Sequence, residues 1–133
     1  MNAFIIELAN KPGMLADVAE AIAEKGINIT AVAGATSGQS GSVAILTNDE
    51  AGTRSVLESR GITFRAIPLV SATMPHRPGS LADASRRLAN AGVNIEALFV
   101  TGSSGDNATV AFAVEDADAA RQALGELAGT TVG

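Results

Sequence analysis

The sequence predicts an α+β protein made of two copies of one βαββαβ plait, and three observations support that expectation. The segment Asn10-Lys11-Pro12-Gly13-Met14-Leu15-Ala16-Asp17 returns as His76-Arg77-Pro78-Gly79-Ser80-Leu81-Ala82-Asp83. Gly26-Ile27-Asn28-Ile29 returns at the same displacement as Gly92-Val93-Asn94-Ile95. Between these landmarks, strand-like and helix-like hydrophobic periods alternate in the same order in both halves. A repeat of 66 residues (78 − 12 = 66) is close to half of the 133-residue chain. It is too long for a solenoid unit and indicates a duplicated small domain, with halves expected at 1–67 and 68–133. Units of roughly 60 residues bury only ~60% of their unfolded surface, so the halves are expected to dock.

In the first half, residues 3–8 read as a short apolar strand that runs into the Pro12-Gly13 punctuation. Leu15, Val18, Ala19, Ile22 and Ala23 then recur at helical spacing, with Asp17, Glu20, Glu24 and Lys25 on other faces. Gly26 suits the left-handed residue that closes such a helix. Strands are expected over 27–35 and 43–46 around a Gly/Ser-rich connection. Asp49-Glu50 place acids at a helix start, Val56 and Leu57 supply its apolar stripe, and Gly61 ends it before a strand at 62–67.

The second half repeats the order: strand 69–73, helix 80–91, strands 93–101 and 108–114, helix 117–128. Arg121 and Leu124 lie 67 residues after Arg54 and Leu57, which places one inserted residue in the loop between the second and third strands of this copy. Right-handed strand–helix–strand crossovers make each copy a four-stranded antiparallel sheet with both helices on one face, the ferredoxin-like plait. Two departures are expected. The stretch 62–74 is nearly one strand broken at Pro68, and Thr130-Thr131-Val132-Gly133 leaves almost no eighth strand, so an open edge calls for strand exchange.

Pro12 and Pro78 read as first helical residues, giving up an N–H that the helix would not use. Gly13 and Gly79 carry no Cβ, which lets a ligand approach the backbone amides of the first turn, an anion socket. Asn28 and Asn94 are expected to open a strand parallel and adjacent to the first. Their amides could meet an ammonium and a carboxylate together, as a free α-amino acid requires.

The loops Asn10-Lys11-Pro12-Gly13-Met14-Leu15 and His76-Arg77-Pro78-Gly79-Ser80-Leu81, each followed by a helix and then Gly-Ile-Asn-Ile or Gly-Val-Asn-Ile, resemble the signature of the ACT domain, a small amino-acid-sensing regulatory module. The resemblance covers almost the whole chain. It implies the βαββαβ plait, side-by-side pairing of domains into an eight-stranded sheet, and an effector amino acid at the domain interface. Residue by residue it nominates Asn10, Pro12, Gly13, Met14, Leu15 and Asn28, with His76, Pro78, Gly79, Ser80, Leu81 and Asn94 in the second copy. ACT loops often carry Asp or Asn two places before the proline; Asn10 agrees and His76 departs.

Composition narrows the classes further. Nine basic against 14 acidic residues give a net charge of −5, which disfavours nucleic acid as a partner. Four Phe without Tyr or Trp argue against an RNA-stacking sheet. The absence of Cys removes disulfides and thiolate metal sites, and the single histidine, His76, builds neither a metal site nor a complete catalytic triad. Neither a signal peptide nor a membrane span is expected, and cytoplasmic residence is the default. The expectation is a regulator without catalysis, metal or cofactor. It binds an amino acid, forms a homodimer and acts on an enzyme or transcription factor. The alternative is a constitutive interaction subunit that acts on such a partner without ligand.

Overall fold

A computed structural model of the chain describes residues 1–128. It divides into two compact units, one of Asn2–Ala66 and one that runs from Ile67 onward and includes Met1.

The first unit holds β1 (Asn2–Ala9), α1 (Met14–Ala23), β2 (Ile29–Ser37), β3 (Ser40–Thr47), α2 (Glu50–Ser59) and the opening of β4 (Phe64–Pro75). Its strand order is β2-β3-β1-β4, with β3 antiparallel to both neighbours. The expected order of elements is therefore met, with one correction. β3 lies between β1 and β2, so the strand that follows Asn28 is not adjacent to the first.

Each helix packs one stripe on the sheet, and the central strands bury their opposite face as well, at Ala3, Ile5, Ala44 and Leu46. Phe4, Ile6, Ile22, Ile45 and Leu57 are at most 1% exposed and form a core closed by Val18, Ala21, Val43 and Val56. Each such large side chain contributes about 1.5–3 kcal/mol. Over the end of this core, the Arg54 guanidinium sits 5.9 Å from the Phe4 ring centroid and 5.4 Å from that of Phe64. Leu15, expected in the buried stripe of α1, is instead exposed, because the stripe follows Val18, Ala21 and Ile22.

The second unit continues β4 and adds α3 (Ser80–Asn90), β5 (Ala97–Ser104), β6 (Asn107–Ala113), α4 (Ala117–Leu124) and a 3₁₀ turn, Gly125–Ala128. Its strand order is β4-β6-β5, antiparallel throughout. Phe112, Leu88, Val114 and Leu124 form its fully buried centre. The expected shortness of an eighth strand concerns Thr130–Gly133, outside the described residues.

Pro68 does not interrupt β4. A proline costs a strand only the ladder bond that its N–H would have made. The Pro68 carbonyl still accepts from Val114 N–H at 2.9 Å, and Leu69 N–H reaches the Met1 carbonyl at 3.1 Å.

The extra residue of the second copy is not in the hairpin loop. Both hairpins have two-residue tips, Gly38-Gln39 between the pair Ser37 and Ser40, and Gly105-Asp106 between Ser104 and Asn107. β5 instead bulges between Val100 and Gly102, leaving Thr101 as the added residue.

α2 and α4 start on aspartate caps, with Asp49 accepting from Gly52 N–H at 2.9 Å and Asp116 from Ala119 N–H at 3.0 Å. α1 and α3 have no side-chain cap and start from glycines instead.

Candidate functional site

Both uncapped helices begin from the repeated loop. Gly13 has φ 91° and ψ −12°, and Gly79 has φ 91° and ψ −16°. These are the angles of the third residue of a type II turn, with proline at the second position. In the second copy, Ser80 N–H donates to the Arg77 carbonyl at 3.3 Å and closes that turn. Pro12 and Pro78 therefore lie one residue before the helix cap, and their fixed φ serves the turn rather than the first helical residue. The glycines are also not required for room, since a Cβ built on either meets nothing within 4 Å. Their positive φ is what excludes other residues.

The turn is tied to the hairpin of the same unit. Asn10 N–H donates to the Gln39 carbonyl at 2.8 Å and its Nδ2 donates to the Gly38 carbonyl at 2.8 Å, which leaves Oδ1 as its remaining acceptor. His76 N–H makes the equivalent bond to the Asp106 carbonyl at 2.6 Å.

Turn, hairpin, helix start and edge strand frame a groove in each unit. The first, of about 540 Å³, has Leu8, Val32 and Val43 among its walls, Met14 and Leu15 from α1, Asn10 and Lys11 from the turn, and an open stretch at Gly34. The second, of about 440 Å³, has Met74, His76, Arg77, Pro78, Ser80 and Leu81 on one side and Leu98, Val100 and Val110 on the other. Gly79 borders a neighbouring recess of about 410 Å³ with Pro78, Ser80 and Asp83.

Of the residues nominated from sequence, Asn10, Met14 and Leu15 meet in the first groove, and His76, Pro78, Ser80 and Leu81 meet in the second. Pro12 and Gly13 shape the turn without lining that groove. Asn28 and Asn94 are not brought to the grooves of their own units, because they follow the far ends of helices that are 10 and 11 residues long, about 15 Å at 1.5 Å per residue. Asn28 is exposed and trades backbone bonds with Asn48, accepting from its N–H at 3.2 Å and donating to its Oδ1 at 3.0 Å. The Asn94 amide donates to the Glu96 carboxylate, three residues before β5 begins.

Sequence reasoning missed the strand walls, Val32, Gly34, Leu98 and Val100. A signal existed. Among the described residues, the exposed large apolar side chains are Met1, Leu15, Val32, Leu81, Leu98 and Val100, and all but Met1 line the two grooves. Alternation in the edge strands marks these positions as facing the helix layer, but only the structure shows that the helices stop short of covering them.

Among the described residues, no group of three or more His, Cys, Asp or Glu could hold a metal, and no helix is long and apolar enough to cross a membrane. A backbone hydrogen bond at Glu126 itself and the charge of Arg87, 3.6 Å away, hold that carboxyl below its ordinary 4.5.

No curated protein sequence matches the chain. Solved structures do. A protein of Bacteroides thetaiotaomicron is 26% identical, with 94% of this chain and 86% of that one covered and a TM-score of 0.75. The ligand-free regulatory subunit of aspartate kinase from Thermus thermophilus is 23% identical over 95% and 91%, with a TM-score of 0.62. The corresponding subunit from Thermus flavus is 22% identical over 95% and 92%, with a TM-score of 0.64. The ACT domain model matches residues 3–60 and again 69–129, so the chain belongs to the ACT domain family and carries two copies of its domain.

Proposed function

We propose that this protein is a non-catalytic regulator that binds a free amino acid in an ACT groove. The observation that carries the reading is the repeated, uncovered apolar floor beside the Pro-Gly turn. Exposed apolar side chains gathered in a concave surface, with a few polar groups at its rim, are the usual form of a small-molecule site. In the first groove Lys11 offers a cation for the carboxylate, while Asn10 Oδ1 and neighbouring carbonyls are acceptors for the ammonium.

The groove is open on one side, so a second copy of the chain is the proposed facing wall, in a homodimer residing in the cytoplasm. Asn28 and Asn94 reach a ligand in this reading only from such a facing domain. Occupancy favours the closed arrangement of the domains, and the population shift is what a regulated enzyme or transcription factor reads.

The test is a thermal-shift panel over the twenty natural amino acids. A binder present at a hundred times its Kd stabilises the native state by about 2.7 kcal/mol. A melting temperature that no amino acid raises would remove the sensor reading and leave the constitutive interaction subunit.

A further inference from the structure

The two grooves share a frame and differ in their floor. In β2, Val32 stands opposite Ile45 and Gly34 opposite Val43; in β5, Leu98 stands opposite Phe112 and Val100 opposite Val110. Residues directly opposite in an antiparallel pair share a face. Ile45 and Val43 belong to one helix-packed core, Phe112 and Val110 to the other. The register therefore makes Gly34 the counterpart of Val100, each on the groove side of its edge strand.

Their effects are opposite. Val100 is 71% exposed, so its isopropyl group projects into the second groove rather than into the core. At Gly34 no side chain enters the equivalent space of the first groove, which holds about 540 Å³.

Backbone geometry does not explain this glycine, which is absent from the residues with positive φ. Nor does crowding, because a Cβ there would lie 3.4 Å from the Ser42 carbonyl oxygen and 3.6 Å from Val43 Cγ2, both ordinary contacts. A glycine inside a strand weakens it unless something must approach closely.

We propose that Gly34 holds the first groove open for the side chain of a bound amino acid while Val100 fills the equivalent space in the second, so that each chain binds one amino acid, in the first groove. This rests on the reading of the grooves as amino-acid sites and adds which of the two is used. It also sets the ligand class. The space over Gly34 is bounded by Leu8, Val32, Thr36 and Val43, with Met14 and Leu15 at its rim, so the bound side chain is uncharged.

The experiment is isothermal calorimetry on the full chain, using whichever of the twenty natural amino acids raises its melting temperature. Four proteins are compared: unaltered, Gly34→Val, Val100→Gly and the double swap, each with its ligand-free melt recorded. The unaltered chain is expected to bind one ligand per chain, and Val100→Gly two. Gly34→Val should weaken binding by more than about tenfold, the result of overfilling a packed space by about 1.4 kcal/mol or more. Valine suits a strand, so the ligand-free melt of Gly34→Val should not fall. The double swap should return to one ligand per chain.

Unchanged affinity in Gly34→Val, or one ligand per chain in Val100→Gly, overturns the assignment while leaving the amino-acid reading intact. An unaltered chain that binds none of the twenty overturns both. If Gly34→Val fails to fold, Gly34→Ala and Val100→Gly decide the matter alone.

Discussion

Replacing Gly13 by alanine isolates one contribution cleanly, because the new methyl group would touch nothing within 4 Å and the whole effect must come from the backbone. At φ 91° a non-glycine residue carries a strain of about 1–3 kcal/mol. Gly79 has the same φ in the second copy, so Gly79→Ala should cost a similar amount. Gly102 supplies the control, since it too has open space around an added Cβ but no positive φ. Its alanine variant should stay within about 0.5 kcal/mol of the parent. Urea unfolding checks all three, with the midpoint falling for the turn variants at an unchanged slope. A Gly13→Ala protein as stable as Gly102→Ala would refute the claim that the turn demands glycine. Ligand affinity lost at full stability would return that residue to the role of making room for a ligand.

Thr53 is fully buried, with its hydroxyl 2.8 Å from Thr47 Oγ1 and 2.7 Å from the Asp49 carbonyl. Thr53→Ala should cost about 1–3 kcal/mol, and adding Thr47→Val should recover part of it, since the second copy already packs Val114 and Ala120 at the equivalent places; calorimetric melts of the single and double variants check this. The lowered Glu126 carboxyl protonates below its ordinary 4.5, so its contribution to stability is present above that value and is lost as pH falls through the lower folded-state value. A carbon-detected NMR titration should show the shift, and Arg87→Gln should reduce it.

Much of the fold is legible in the sequence because its signals are local. Val18 and Ile22 fall one helical turn apart, Asp49 caps α2, and the copies confirm one another. The misreadings have a different origin. Pro68 looks like a break only when the hydrogen-bond partner that it spares is ignored. Leu15 looks buried because its spacing fits the stripe, whereas the helix is rotated so that Val18, Ala21 and Ile22 face the sheet. The separation of Asn28 from the Pro-Gly turn follows from the length of α1, which converts a repeated motif into two distant ends of one rod. Alternation places Val32, Gly34, Leu98 and Val100 on the helix side of their strands but does not mark them as site residues, because a groove is a property of what neighbouring elements leave uncovered.

The bulge at Thr101 turns the duplication into an internal record of where this architecture absorbs a change in length. Both ribbons keep a tip of two residues, whose handedness has to match the twist of the strands that it joins, so lengthening the tip would splay them. An edge strand has a free side and can pucker outward without disturbing a second neighbour. Residues engineered into the first half should therefore be housed along β2, at the level of Ala35, where the sister strand has already shown that one more can be carried.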